Sequence, residues 1–198
     1  MSKIHLKKLQ ERPLSWSSLS SWNYDKEAWA KKYLLGITEP PNAAMTAGKR
    51  IGELLATIPS FLPLVPRYGV FEKELKVKFG SIPLIGYLDS YDPDTNAFFE
   101  YKTYTKDGKW SQKIANAHGQ IKMYKAMLYM LYDVPIDKIG CELVAIQVQE
   151  SGDFKMSLAK TPIQIYEVKH TKMQVLDFLS SVQKQYKEMC AYALEFGK

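Results

Sequence analysis

The chain has 198 residues, 46% hydrophobic and 24% charged, with 27 basic against 21 acidic side chains and a formal net charge of +6. That length suits one domain, residues 1–198, with a substantial core. The composition excludes a membrane span, since no window approaches ~18 uninterrupted apolar residues, and the moderate positive charge is a weak vote for a polyanionic partner.

In chain order, MSKIHLKKLQERP is charged and lacks the apolar centre of a secretory signal, so a cytosolic protein is the default expectation. The segment LSWSSLSSWNYDKEAWAKKYLLGI predicts an amphipathic helix capped by Ser17 or Ser18, with Leu19, Trp22, Trp29, Tyr33 and Leu34 on its apolar face. Pro40-Pro41 ends that unit, and MTAGKRIGELLATI predicts a second helix with Ile51, Leu54, Leu55 and Ile58 inward. After a Pro-containing loop the period changes. Residues 70–79 alternate as a half-buried strand, and 82–89 and 97–103 follow as two more. Residues 111–132 predict one long helix through Ile114, Ala117, Ile121, Tyr124, Leu128 and Leu131, stopped by Asp133-Val134-Pro135. CELVAIQVQ, 141–149, predicts a strand, Ser151-Gly152-Asp153 a turn and 154–158 its partner. IQIYEV is a short extended piece before a last helix from Thr171 to Phe196. The order α-α-β-β-β-α-β-β-α makes an α/β domain with a central mixed sheet flanked by helices. Cys141 and Cys190 lie far apart without a CxxC pattern, which argues against structural zinc and iron–sulfur sites and reads as apolar filling.

The most informative stretch is GYLDSYDPDTNAFFEYK, residues 86–102. DPDTN favours a tight turn, so the flanking runs fold back as a hairpin whose midpoint sets Asp89 beside Glu100, with Cβ atoms roughly 5 Å apart. Glu100 and Lys102 share a strand face. Two carboxylates that close repel unless a cation lies between them, and hard oxygen ligands suit Mg²⁺ or Mn²⁺. Apolar Ile85, Leu88, Phe98 and Phe99 around the charges place them on core strands rather than on a rim.

Four signatures then fall in a fixed order: Glu53 in AGKRIGELLA, Asp89 in GYLD, Glu100 and Lys102 in EYK, and Gln120 and Tyr124 in HGQIKMYKAML. This order resembles the PD-(D/E)XK nuclease superfamily, in the branch of RecB-type nucleases and phage recombination exonucleases. The opening SWSSLSSW and YLLG look like that branch too, so the resemblance covers about residues 14–150. It implies a restriction-endonuclease-like core and a Mg²⁺- or Mn²⁺-dependent deoxyribonuclease, most simply an exonuclease serving recombination or repair in the cytoplasm of a bacterium or a phage-infected host. It implies Asp89, Glu100, Lys102 and Glu53 as catalytic residues. The metal would be held by Asp89, Glu100, Glu53 and the backbone carbonyl of Tyr101, and Lys102 would orient or help deprotonate the attacking water.

Gln120 and Tyr124, four apart on one helix face, would brace the site or touch the substrate backbone. His118 lies near the site by helix spacing and could contact phosphate, with a solvent-facing histidine the stronger reading. Lys106, Lys109, Trp110 and Lys113 follow EYK and offer lysines for phosphates and a ring for bases. Glu74 matches a glutamate often present in relatives, but reads as strand surface. The cysteines that hold an iron–sulfur cluster in some relatives and the GxxxxGK[ST] sequence are both missing, so neither that cluster nor ATP is expected. DNA is the implied partner, and the resemblance also suggests a single-strand annealing protein. Oligomeric state, polarity and strand preference stay open. A structure-specific or RNA-directed endonuclease on the same core, or a non-catalytic DNA-binding module, are the alternatives.

Overall fold

The computed structural model describes residues 2–58, 60–67, 69–105, 110–151 and 155–196. The chain opens with a helix that the charged N-terminus did not announce, α1 (Ser2–Glu11). Next come α2 (Trp16–Tyr24), α3 (Lys26–Ala30), a π-helical turn (Lys31–Leu35) and α4 (Ala43–Thr57). The predicted first helix is therefore a broken run. Its cap is Ser15, whose hydroxyl accepts from the Ser18 backbone N–H at 3.2 Å, and Asp25 starts the next piece by accepting from Glu27 and Ala28. Ser18 is buried, where it accepts the Trp29 indole N–H at 3.0 Å. The predicted inward face, Leu19, Trp22, Trp29, Tyr33 and Leu34, is buried throughout.

Five strands follow: β1 (Val70–Phe79), β2 (Ile82–Asp92), β3 (Ala97–Tyr104), β4 (Gly140–Ser151) and β5 (Lys155–Glu167). They form one mixed sheet in the order β1-β2-β3-β4-β5, antiparallel except for the parallel β3–β4 pair. A parallel pair needs a crossover, and here α5 (Gln112–Ala117) and α6 (Gly119–Tyr132) supply it. The structure divides what the periodicity read as one helix. His118 is extended at φ −65°, ψ 114°, and Gly119 leaves room for Trp16, whose ring a Cβ there would strike. The break shifts the helical phase, so Ala115 is buried while Ile114 and Ala117 face out. Residues 155–158 of the predicted partner piece, whose Phe154 lies outside the described residues, and IQIYE of the later piece belong to a single strand, β5, with a register shift against Ile146/Val148 on β4. Gly152 and Asp153 of the predicted turn lie outside the described residues. The chain closes with α7 (Lys172–Glu195), begun by a capping box between Thr171 and Gln174.

The sheet is covered on both faces. Leu75, Leu84, Leu88, Phe98, Leu143 and Ala145 pack with the residues of α1–α3, α6 and α7. Phe99, Val144 and Ile146 pack with Ile51 and Leu55 of α4. Adjacent residues 98/99 and 143/144 thus serve opposite faces, as the period of two requires. Cys141 is buried and Cys190 half-buried, both free thiols.

Candidate functional site

The hairpin turn is built by Asp92, whose carboxylate accepts from the Asp94 N–H at 3.0 Å and the Thr95 hydroxyl at 2.6 Å, with Asn96 in the left-handed region at φ 53°. The β2–β3 pairing that follows runs from Asp92↔Ala97 to Ser90↔Phe99. Asp89 and Glu100 stand at its open end, in the register the turn midpoint predicts. There Asp89 Oδ2 accepts the Tyr101 backbone N–H at 2.7 Å. Glu100 is 1% exposed, and its Oε1 meets Lys102 Nζ at 2.6 Å. Lys102 also donates to Gln120 Oε1 at 2.8 Å, and Gln120 Nε2 donates to the Tyr124 hydroxyl at 2.8 Å. One chain of contacts thus ties β3 to α6. Gly86 allows it, because a Cβ there would strike the Tyr124 ring.

Burial, then the Glu100 charge, push the Asp89 carboxyl well above the usual range; burial likewise raises Glu100. Burial works against the Lys102 ammonium, but the adjoining Glu100 carboxylate outweighs it and holds Lys102 above its ordinary value. Two acids resist ionising together, next to a firmly charged lysine. Glu100 Oε2 is buried and has no hydrogen-bond partner among the described residues. An anionic oxygen kept dry without a donor is the kind of atom that a hard cation satisfies. The oxygens of Asp89 and Glu100 are hard donors of the kind that would suit Mg²⁺ or Mn²⁺. Among the described residues no group of three or more His, Cys, Asp and Glu side chains is gathered closely enough to hold a metal by itself.

A cavity of about 680 Å³ lies between α4 and the sheet, lined by Glu53, Glu72, Asp89, Tyr101 and Lys102 among others. Glu53 reaches its wall but is mostly exposed and pairs with Lys49 at 3.8 Å. Glu72 is the acid that sequence reasoning missed. The pairs Phe71↔Ser90 and Lys73↔Leu88 set Glu72 opposite Asp89, and its φ is +50°, rare for a residue with a Cβ. Glu72, Asp89 and Glu100 consequently form a row across three strands. The signal was available: a two-residue turn at Gly80-Ser81 fixes the β1–β2 register, as the Phe79↔Ile82 pair shows.

The remaining candidates separate. His118 lies between the Trp16 and Trp110 rings, at centroid distances of 5.8 and 5.7 Å. Burial and the Lys102 charge push its pKa down to about 4, so at neutral pH it is an uncharged ring and no phosphate cation. Trp110 is half-buried against this stack, and Lys113 points to solvent on α5. Lys106 and Lys109 lie outside the described residues. Glu74 is exposed and bonds Tyr87 and Lys76, both at 2.9 Å. A second cavity of about 620 Å³ lies beyond Lys102, which lines both, and is walled by α2, Tyr87, Gln120 and Tyr124.

No protein-family profile matches the chain, and no curated protein does. Solved structures do. A candidate exonuclease from Eubacterium rectale aligns over 96% of this chain and 84% of its own, with a TM-score of 0.61 at 12% identity. A phage-related exonuclease from Haemophilus somnus aligns over 96% and 91%, with a TM-score of 0.55 at 13% identity. At such identities the likeness is one of fold. This chain shares that fold, an α/β architecture consistent with the restriction-endonuclease-like core.

Proposed function

We propose that this chain is a Mg²⁺- or Mn²⁺-dependent DNA nuclease of exonuclease type, belonging to the RecB-like branch of the PD-(D/E)XK superfamily and serving recombination or repair. The observation that carries the reading is the Asp89–Glu100–Lys102 set at the open end of the β2–β3 pairing, with the dry, unpartnered Glu100 Oε2. Support comes also from the two solved structures that share the fold, both named as exonucleases.

Asp89, Glu100 and the Tyr101 carbonyl would hold the metal, with Glu53 and Glu72 on the cavity wall for its waters. When bound, the ion supplies a Lewis acid at the phosphoryl oxygens and lowers the pKa of a coordinated water. The protein's own residues do the rest. Asp89 is fixed by the Tyr101 N–H, so its free oxygen has a set direction. Lys102, kept protonated by Glu100, is no proton acceptor; it donates to the attacking water or to a non-bridging phosphate oxygen and stabilises charge as it builds. Gln120, held by Tyr124, limits where that ammonium can swing. In-line attack by the water, whose proton passes to solvent, would form the new P–O bond and break the P–O3′ bond, leaving a 5′-phosphate and a 3′-hydroxyl that takes its proton from solvent.

The test uses end-labelled linear duplex and the same sequence as a closed circle, with Mn²⁺ or with EDTA. Degradation of the linear form alone, abolished by EDTA, is the expected result. Cleavage that persists in EDTA contradicts the metal, and equal cleavage of the circle contradicts the exonuclease assignment.

A further inference from the structure

The proposed chemistry uses the main chain of Tyr101 and gives its side chain no task. Tyr101 shares the α4 face of β3 with Phe99, the two rings stacked at a centroid distance of 6.4 Å and 16° between planes. Its hydroxyl reaches the connection from α4 to β1 and donates to the Pro66 carbonyl at 2.8 Å. That connection is itself braced. Arg67 donates to the carbonyls of Ile58 at 2.9 Å and Leu62 at 3.4 Å, and Val65 is buried with Phe99 and Val144. The hydroxyl therefore ends on a fixed post, joined to the helix whose Glu53 walls the cavity.

The main chain of the same residue is where such a post is needed. The β2–β3 ladder stops at Ser90↔Phe99, so the Tyr101 N–H goes to Asp89 Oδ2 at 2.7 Å rather than to a strand partner. On its other edge β3 continues against β4, with Tyr101 opposite Val144. A strand held along one edge can roll about its axis, and rolling would swing that N–H and re-aim the carboxylate. A ring pinned at its far end opposes the roll. We propose that Tyr101 is a positioning residue of the candidate metal site, its Pro66-anchored hydroxyl fixing the backbone that aims Asp89; the proposal rests on the nuclease reading. Groups one step behind a metal ligand act by orienting the ligand, without touching the metal.

The test reads Mn²⁺ binding directly, from the free-ion signal in electron paramagnetic resonance, with no DNA present. Tyr101→Phe keeps the ring and removes the anchor, and should bind Mn²⁺ about tenfold more weakly than wild type. Val182→Ala, in the core under α7, lowers stability from a distance and should keep wild-type affinity. Wild-type affinity in Tyr101→Phe, or equal weakening in Tyr101→Phe and Val182→Ala, overturns the strut and leaves the nuclease reading standing. Where Tyr101→Phe fails to fold, Arg67→Met, which unbraces the post, decides. Weaker Mn²⁺ binding in that variant supports the strut, and wild-type affinity overturns it. Wild-type protein that binds no Mn²⁺ and degrades no DNA sinks the nuclease reading and the strut with it.

Discussion

At the scale of single residues, Asp89 carries its charge at a cost to stability. Burial and the neighbouring Glu100 raise its pKa well above 3.8, and Glu72 adds repulsion from β1, while the Tyr101 N–H and Lys102 pull the other way. The folded state therefore holds protons that the unfolded state releases. The stability is present at low pH and is lost as pH rises from about 4 through the raised native value. Asn at 89 can still accept the Tyr101 N–H but has no charge to strand. Asp89→Asn is thus expected to melt higher than wild type at pH 8 in EDTA, at ~2–4 °C for each kcal/mol relieved, with the gap shrinking toward pH 4. Mn²⁺ should raise the wild-type melting temperature and leave the variant unmoved. Parallel curves for the two proteins, or an equal Mn²⁺ shift in both, would contradict the account of this carboxyl. Lys102 does not disturb the window, since its raised pKa acts only near and above 10.5.

At the scale of elements, two glycines near the site carry opposite predictions. Gly86 on β2 lies under the Tyr124 ring, so Gly86→Ala overpacks the β2–α6 contact and should cost ~1–3 kcal/mol. It should also loosen the Gln120–Lys102 contact and lower activity by about tenfold, a 1.4 kcal/mol loss of transition-state binding. Gly52 on α4 has nothing within 4 Å of an added Cβ, so Gly52→Ala should stabilise the helix by up to ~1 kcal/mol. Thermal melts of both variants check the signs. The hairpin with Asp89, Glu100 and Lys102 was legible because turn residues and a period of two set a register without outside help. Glu72 was legible in principle by the same count through Gly80-Ser81. Helix α1 was not: only His5 and Leu9 of its described residues are buried, too sparse a stripe to mark a helix, and α1 is held in part by His5 meeting the Phe196 carbonyl at 3.2 Å. The break at His118 was hidden as well, since it depends on Trp16 reaching Gly119 from a distant part of the chain.

At the scale of the molecule, the sheet's open end is where charge can be kept beside a closed core. The β2–β3 pairing stops at Ser90↔Phe99 while β3 continues against β4, so Glu100 is buried by its neighbours and still borders the cavity group of Asp89 and Lys102. Alternation along β3 sends Phe98 to one layer of helices and Phe99 to α4, and that two-sided burial holds the site rigid from both faces. The fold class was readable from the order of elements; which cavity lies on which side of Lys102 needed the packed molecule. The most direct measurement is degradation of end-labelled linear duplex in Mg²⁺ or Mn²⁺ by wild type and by Lys102→Ala, with circular dichroism confirming equal folding. The account predicts degradation by wild type and a loss of at least a hundredfold in the variant, in line with removal of one transition-state donor. Equal rates in the two proteins would contradict it.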